Sequence, residues 1–153
     1  MKHLQLLLSL LLLTISLPTF AQTKHDVNPV YIANLLTNSI STDEMRETCR
    51  FYQLTESTGE EGYTVFTDHH GNAIRFKDTG NPDVGVNGRL IELQTKDNAK
   101  TIERILCQVG YRKQADAYER GSRITAITRC QLTTKGSHRL LSFLKINPQT
   151  ISR

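Results

Sequence analysis

Twice along this chain a helical spacing gives way to runs with the composition of strands, and that double switch limits the fold more than any other feature. Ser41 can accept a hydrogen bond from the first helical turn while Glu44, three residues on, reaches back, which is a capping box. Met45, Thr48, Cys49 and Tyr52 follow at i, i+3, i+4, i+7, one face of a helix, so Cys49 is expected to point inward. The second switch is sharper. With Asp97 as the expected cap, Ala99, Ile102, Ile105, Leu106 and Val109 fall on a single stripe, and Gly110 ends it. Cys107 lies off that stripe.

Each helix runs into strand chemistry. After the first, residues 53–58, 63–68, 73–78 and 89–95 carry the β-branched and aromatic enrichment or the alternation of strands. A Gly59–Gly62 turn, a His69-His70-Gly71-Asn72 hairpin connection and a Gly-, Asn- and Pro-rich loop at 79–88 separate them. After the second helix, three strands are expected at 111–119, 123–132 and 138–146. Arg120-Gly121-Ser122 and Thr134-Lys135-Gly136-Ser137 would be their turns. In 123–132 one face holds Ile124, Ala126, Thr128, Cys130 and Leu132, and the other holds Arg123, Thr125, Ile127, Arg129 and Gln131. Asn28-Pro29 is a helix-start signal, and 29–37 suits a short helix or an extended arm.

The expected fold class is therefore α+β: a mostly antiparallel sheet of six to seven short strands with two amphipathic helices on one face. A shift of 57 superposes Met45, Thr48, Cys49 and Tyr52 on Ile102, Ile105, Leu106 and Val109, which suggests a tandem helix-plus-meander repeat with one extra strand in the first unit. That layout is similar to the tandem helix-and-sheet inhibitors of secreted β-lactamases. The likeness is one of architecture, with no shared motif, and fold alone does not carry function.

The N-terminus has its own signature. Lys2, the apolar run at 6–17, Pro18 and the small residues Thr19 and Ala21 follow the order of a secretory signal peptide. The run is too short to span a bilayer. The expectation is a cleaved signal over 1–21 and a single exported domain over 22–153, secreted or periplasmic, with no transmembrane segment after cleavage. Three cysteines, Cys49, Cys107 and Cys130, leave at least one thiol unpaired in an oxidising compartment.

Charge is unevenly placed. Residues 22–110 hold nine Lys/Arg against thirteen Asp/Glu, whereas 111–153 hold nine against two. Arg112, Lys113, Arg120, Arg123, Arg129 and Arg139 are thus candidates for contact with an anionic surface, although strand arginines also serve to keep sheet edges soluble. Asp68-His69-His70 could ligate a metal, but adjacent strand residues point to opposite faces and no further ligand is spaced to join them. A Cys/His nucleophile needs a thiolate beside an imidazole held by a third group; nothing in the local sequence favours Cys49 with His69 or His138, and Cys49 and Cys130 both read as core-facing. Asp43, Glu44 and Glu47 suit the first turns of a helix, and Glu60-Glu61 a turn. No phosphate-cradling loop, nucleophile elbow or dinucleotide fingerprint occurs in the sequence. The reading is a non-catalytic exported binding module, without cofactor or metal, that recognises another envelope or extracellular protein, inhibitor or immunity binding being one version. The alternative is a binder of anionic glycan or lipid; nucleic acid is not an expected partner.

Overall fold

A computed structural model describes residues 27–122 and 126–146. The proposed signal segment at 1–21 and Arg123 lie outside the described residues. Helix α1 (Pro29–Leu36) opens the fold, with the Asn28 side chain accepting from the Val30 amide and Pro29 in the first turn. Helix α2 (Thr42–Phe51) follows. Ser41 Oγ accepts from the Glu44 amide at 3.1 Å, and Glu44 Oε2 accepts from the Ile40 amide at 2.6 Å. The capping box thus closes one residue earlier than its usual form. Four strands come next: β1 (Thr55–Thr58), β2 (Thr64–Thr67), β3 (Ala73–Asp78) and β4 (Arg89–Thr95). Helix α3 (Ala99–Gln108) leads into β5 (Arg112–Gln114), β6 (Ala117–Ser122), β7 (Ala126–Lys135) and β8 (His138–Ile146).

All eight strands form one antiparallel sheet in the order β1-β2-β3-β4-β8-β7-β6-β5. The architecture is α+β as expected, with three helices and eight strands instead of two and six to seven. The extra strand comes from 111–119, which is a hairpin. Gln114 pairs with Ala117, and the two-residue loop Ala115-Asp116 places Ala115 at φ 51°. Loops of this length want a positive φ, and neither glycine nor asparagine marks the spot. Arg120-Gly121-Ser122, expected as a turn, continues β6 and pairs with Thr128, Ile127 and Ala126. The third strand of that unit shifts accordingly, from 123–132 to Ala126–Lys135. The cap of α3 is Asn98, whose Oδ1 accepts from Thr101, and Asp97 instead accepts from the Asn28 side chain.

The tandem arrangement is present, as a helix plus a four-strand meander in both halves. Helices α2 and α3 are displaced by the predicted 57 residues at both ends. Their last strands pair antiparallel, Ile91 with Phe143 and Leu93 with Leu141, as a local two-fold between β4 and β8 would require. The halves differ chiefly between their third and fourth strands, where residues 79–88 correspond to the tight Gly136-Ser137 turn.

Register partners share a face of the sheet. One face holds Phe66, Ile74, Phe76, Ile91, Leu93, Cys130, Leu141 and Phe143, all buried against Val30, Leu36, Met45, Cys49, Ile102 and Leu106 of the helices. Each such fully buried apolar side chain contributes about 1.5–3 kcal/mol relative to exposure. Ala99, expected on the inward stripe of α3, is exposed at the helix's first position. Ile124, expected on the inward row, is outside the described residues.

Candidate functional site

The other face of the sheet has no helix against it among the described residues. Following the register across the strands, Val65 and Arg75 of β2 and β3 stand beside Glu92 of β4, Ser142 of β8 and Gln131 of β7. A second row runs through Gln94, Leu140 and Thr133. A third carries Leu144, Arg129, Glu119 and Arg112. Val65, Leu90, Leu140, Leu144, Ile127 and Ile146 are half-buried on this face. The charges among them are largely paired across strands: Arg75 with Glu92, and Arg129 with Glu119 at 2.5 Å. Tyr63 lies beneath Lys77 and Arg75, 4.6 and 4.9 Å from its ring centre, and burial followed by the nearby Glu92 pushes its hydroxyl pKa up.

Of the six basic residues proposed for an anionic surface, Arg123 is outside the described residues and the other five do not lie together. Arg112 and Arg129 occupy the helix-free face with Glu119 between them. Lys113, on the opposite face, approaches Glu103 of α3 at 3.9 Å. Arg120 is 5.1 Å from the centre of the Tyr111 ring and donates to Thr37 Oγ1 at 3.2 Å and to Asn38 Oδ1 at 3.4 Å. It therefore serves the C-terminal end of α1, where a cation is favoured. Arg139 donates to the Asp97 carbonyl at 3.0 Å.

A polar cleft of about 500 Å³ opens at the β2–β3 hairpin tip, lined in part by Tyr52, Gln53, His69, His70, Lys96 and Asp97. Sequence alternation sends His69 and His70 apart, but their rings sit 3.8 Å centre to centre. The cause is Asp68, whose Oδ1 accepts from the amides of His70 and Asn72 and whose Oδ2 accepts from Asn72 Nδ2. That knot curls the chain so that both rings project from one turn. It also occupies the carboxylate. Among the described residues no group of three or more His, Cys, Asp or Glu side chains converges as a metal-binding set.

Cys49 and Cys130 are fully buried free thiols, and Cys107 is an exposed one. Burial raises the Cys49 thiol to about 12, with Glu56 adding to it, and burial alone does the same for Cys130. Neither is a nucleophile in that state, because the reactive species is the thiolate. A shallower groove between α1 and α2 is lined by Leu35, Thr48, Phe51 and Tyr52 with Glu44 and Glu47. Beside it Ile40 is 85% exposed.

Compared with known proteins, the chain matches no family model, no curated protein and no solved structure. Among the described residues no helix is long and apolar enough to cross a membrane.

Proposed function

We propose that this is an exported, non-catalytic binding module that recognises another protein through the helix-free face of its sheet. One observation carries the reading. A sheet continuous over eight strands buries one face under three helices and leaves the other with half-buried aliphatic side chains between paired charges. Aliphatic side chains set among neutralised ion pairs are what a partner can desolvate cheaply, since isolated charges are depleted from interface centres. The two fully buried thiols, Cys49 and Cys130, support the non-catalytic part, because burial keeps them protonated.

The test is capture from envelope and secreted fractions by the exported protein, at low and high salt, with two variants. A defined protein should be retained at high salt, lost with Leu144→Asp on the open face and kept with Ile40→Asp on the helical side. Circular dichroism would verify that both variants fold. Loss with Ile40→Asp instead would move the interface to the α1–α2 groove. Retention on acidic glycan or lipid that vanishes at moderate salt and on charge reversal of Arg129 would support the anionic-surface alternative.

A further inference from the structure

On the helix-free face, near the β7–β8 turn, a cavity of about 250 Å³ is lined by Arg75, Gln94, Lys135, His138, Arg139 and Leu140. No carboxylate is among these residues. The register explains the convergence. Gln94 and Leu140 are cross-strand partners, Lys135 and His138 are partners at the hairpin end, and Arg75 belongs to the neighbouring row. Arg139, paired with buried Thr95 and so set on the helix-covered face, only borders the cavity, and its guanidinium reaches away to the Asp97 carbonyl.

The charges here are differently disposed from those elsewhere on the face. Arg75 is paired through Nε with Glu92, just outside the cavity, so it brings donors and little net charge. Lys135 has no carboxylate within ion-pair distance among the described residues. The Arg139 guanidinium meets a neutral carbonyl. His138 Nδ1 lies 3.1 Å from Ser137 Oγ, which leaves Nε2 for another partner. One uncompensated ammonium, an imidazole, an amide and an apolar floor form a concave site whose charge favours an anion.

We propose that this cavity receives one carboxylate, from an acidic side chain of the protein partner, and so anchors the partner on the open face. The proposal rests on the protein-recognition reading above and names the chemistry at its centre. A carboxylate fits the volume, with Lys135 and the free ring nitrogen of His138 as its donors and Arg75, held by Glu92 and the Tyr63 ring, at the border.

The exported protein is titrated with a blocked oligoglutamate peptide and, separately, with a sulfated disaccharide, while amide resonances are followed by NMR. The peptide should shift residues 73–76, 92–95 and 134–140 saturably. Lys135→Ala should weaken it roughly two- to fivefold, the range for one partly exposed ion pair. Lys135→Glu should abolish it, and Arg112→Ala, on the same face but remote, should leave it unchanged. Shifts that do not saturate, that spread equally to Arg112 and Lys113, or that appear with the sulfated sugar alone would overturn the carboxylate assignment. Partner capture separates the two readings. Capture that is lost with Leu144→Asp but indifferent to Lys135→Glu keeps the interface and removes the anchor. Peptide binding without any capture through the face keeps the cavity and removes the interface.

Discussion

The guanidinium of Arg89, at the start of β4, donates to the carbonyl of Ser39 at 2.8 Å, and a second nitrogen reaches the Ile40 carbonyl at 2.6 Å. Arg89 is only 7% exposed and has no carboxylate partner among the described residues. It ties the α1–α2 connection to the centre of the sheet, and the opposing half sends Arg120 to the same connection at Thr37 and Asn38. Removing the side chain strands the buried Ser39 carbonyl, whereas exposed Ile40 can turn to water. Arg89→Ala should therefore lower stability by about 1–3 kcal/mol, the cost of leaving a buried acceptor without its charged donor. The measurement is a urea midpoint at unchanged slope. Loss of less than a few tenths of a kcal/mol would mean the tie is not structural.

Two loop positions should respond with opposite sign. Ala115 holds φ 51° in the β5–β6 loop, where a Cβ is unfavourable, so Ala115→Gly should stabilise by about 0.5–1 kcal/mol. Gly85, at φ +65°, has no such room, since a Cβ there would meet the Arg89 carbonyl oxygen at 2.1 Å. Gly85→Ala should destabilise by about 2 kcal/mol or more and loosen the Gly85 carbonyl bond from Lys145. Thermal midpoints of the pair give both signs in one experiment.

Alkaline pH should destabilise this protein. Cys49 and Cys130 are raised from 9.0 to about 12, and burial also raises the Tyr111 hydroxyl. These acids ionise more readily in the unfolded chain. Their contribution is complete below about pH 9 and is lost as pH climbs towards about 12. At about pH 10 each buried thiol should remove on the order of 1 kcal/mol. Denaturant midpoints across that range should fall steeply, and the slope should be shallower in Cys130→Ala. A flat profile would show that these thiols are accessible to solvent.

Much of the sheet was legible in the sequence because its strands alternate cleanly between glycine-containing loops. Residues 73–78, 89–95 and 138–146 coincide with β3, β4 and β8. The helix-to-helix shift of 57 survives because helices tolerate no insertion on a buried stripe, while loops do. Three features were hidden for physical reasons. The Ala115-Asp116 turn puts its positive φ on alanine, which does not advertise one. Arg89 reads as a solvated strand end because its acceptors lie some fifty positions earlier in the chain. The basic cavity draws on Arg75, Gln94, Lys135 and His138, which only the β4–β8 junction between the two halves brings together.

The hairpin tip offers a last test, of whether Asp68 shapes the cleft or merely borders it. Its carboxylate accepts two backbone amides and the Asn72 amide, and Asn72, 7% exposed, passes the link on by accepting from the Lys96 amide at 3.2 Å. Asp68→Ala leaves those donors unmatched in a half-buried turn and should cost about 1–3 kcal/mol. Asp68→Asn keeps one acceptor oxygen for the two backbone amides and loses the acceptor facing Asn72 Nδ2, so it should cost less than half as much. Hydrogen exchange discriminates a local effect from a global one. The amides of His70 and Asn72 should lose protection in Asp68→Ala well beyond the drop seen for β4 amides, and the two imidazole resonances should become equivalent to free histidine. If protection falls uniformly, Asp68 stabilises the fold as a whole, and the paired rings are a by-product of packing elsewhere.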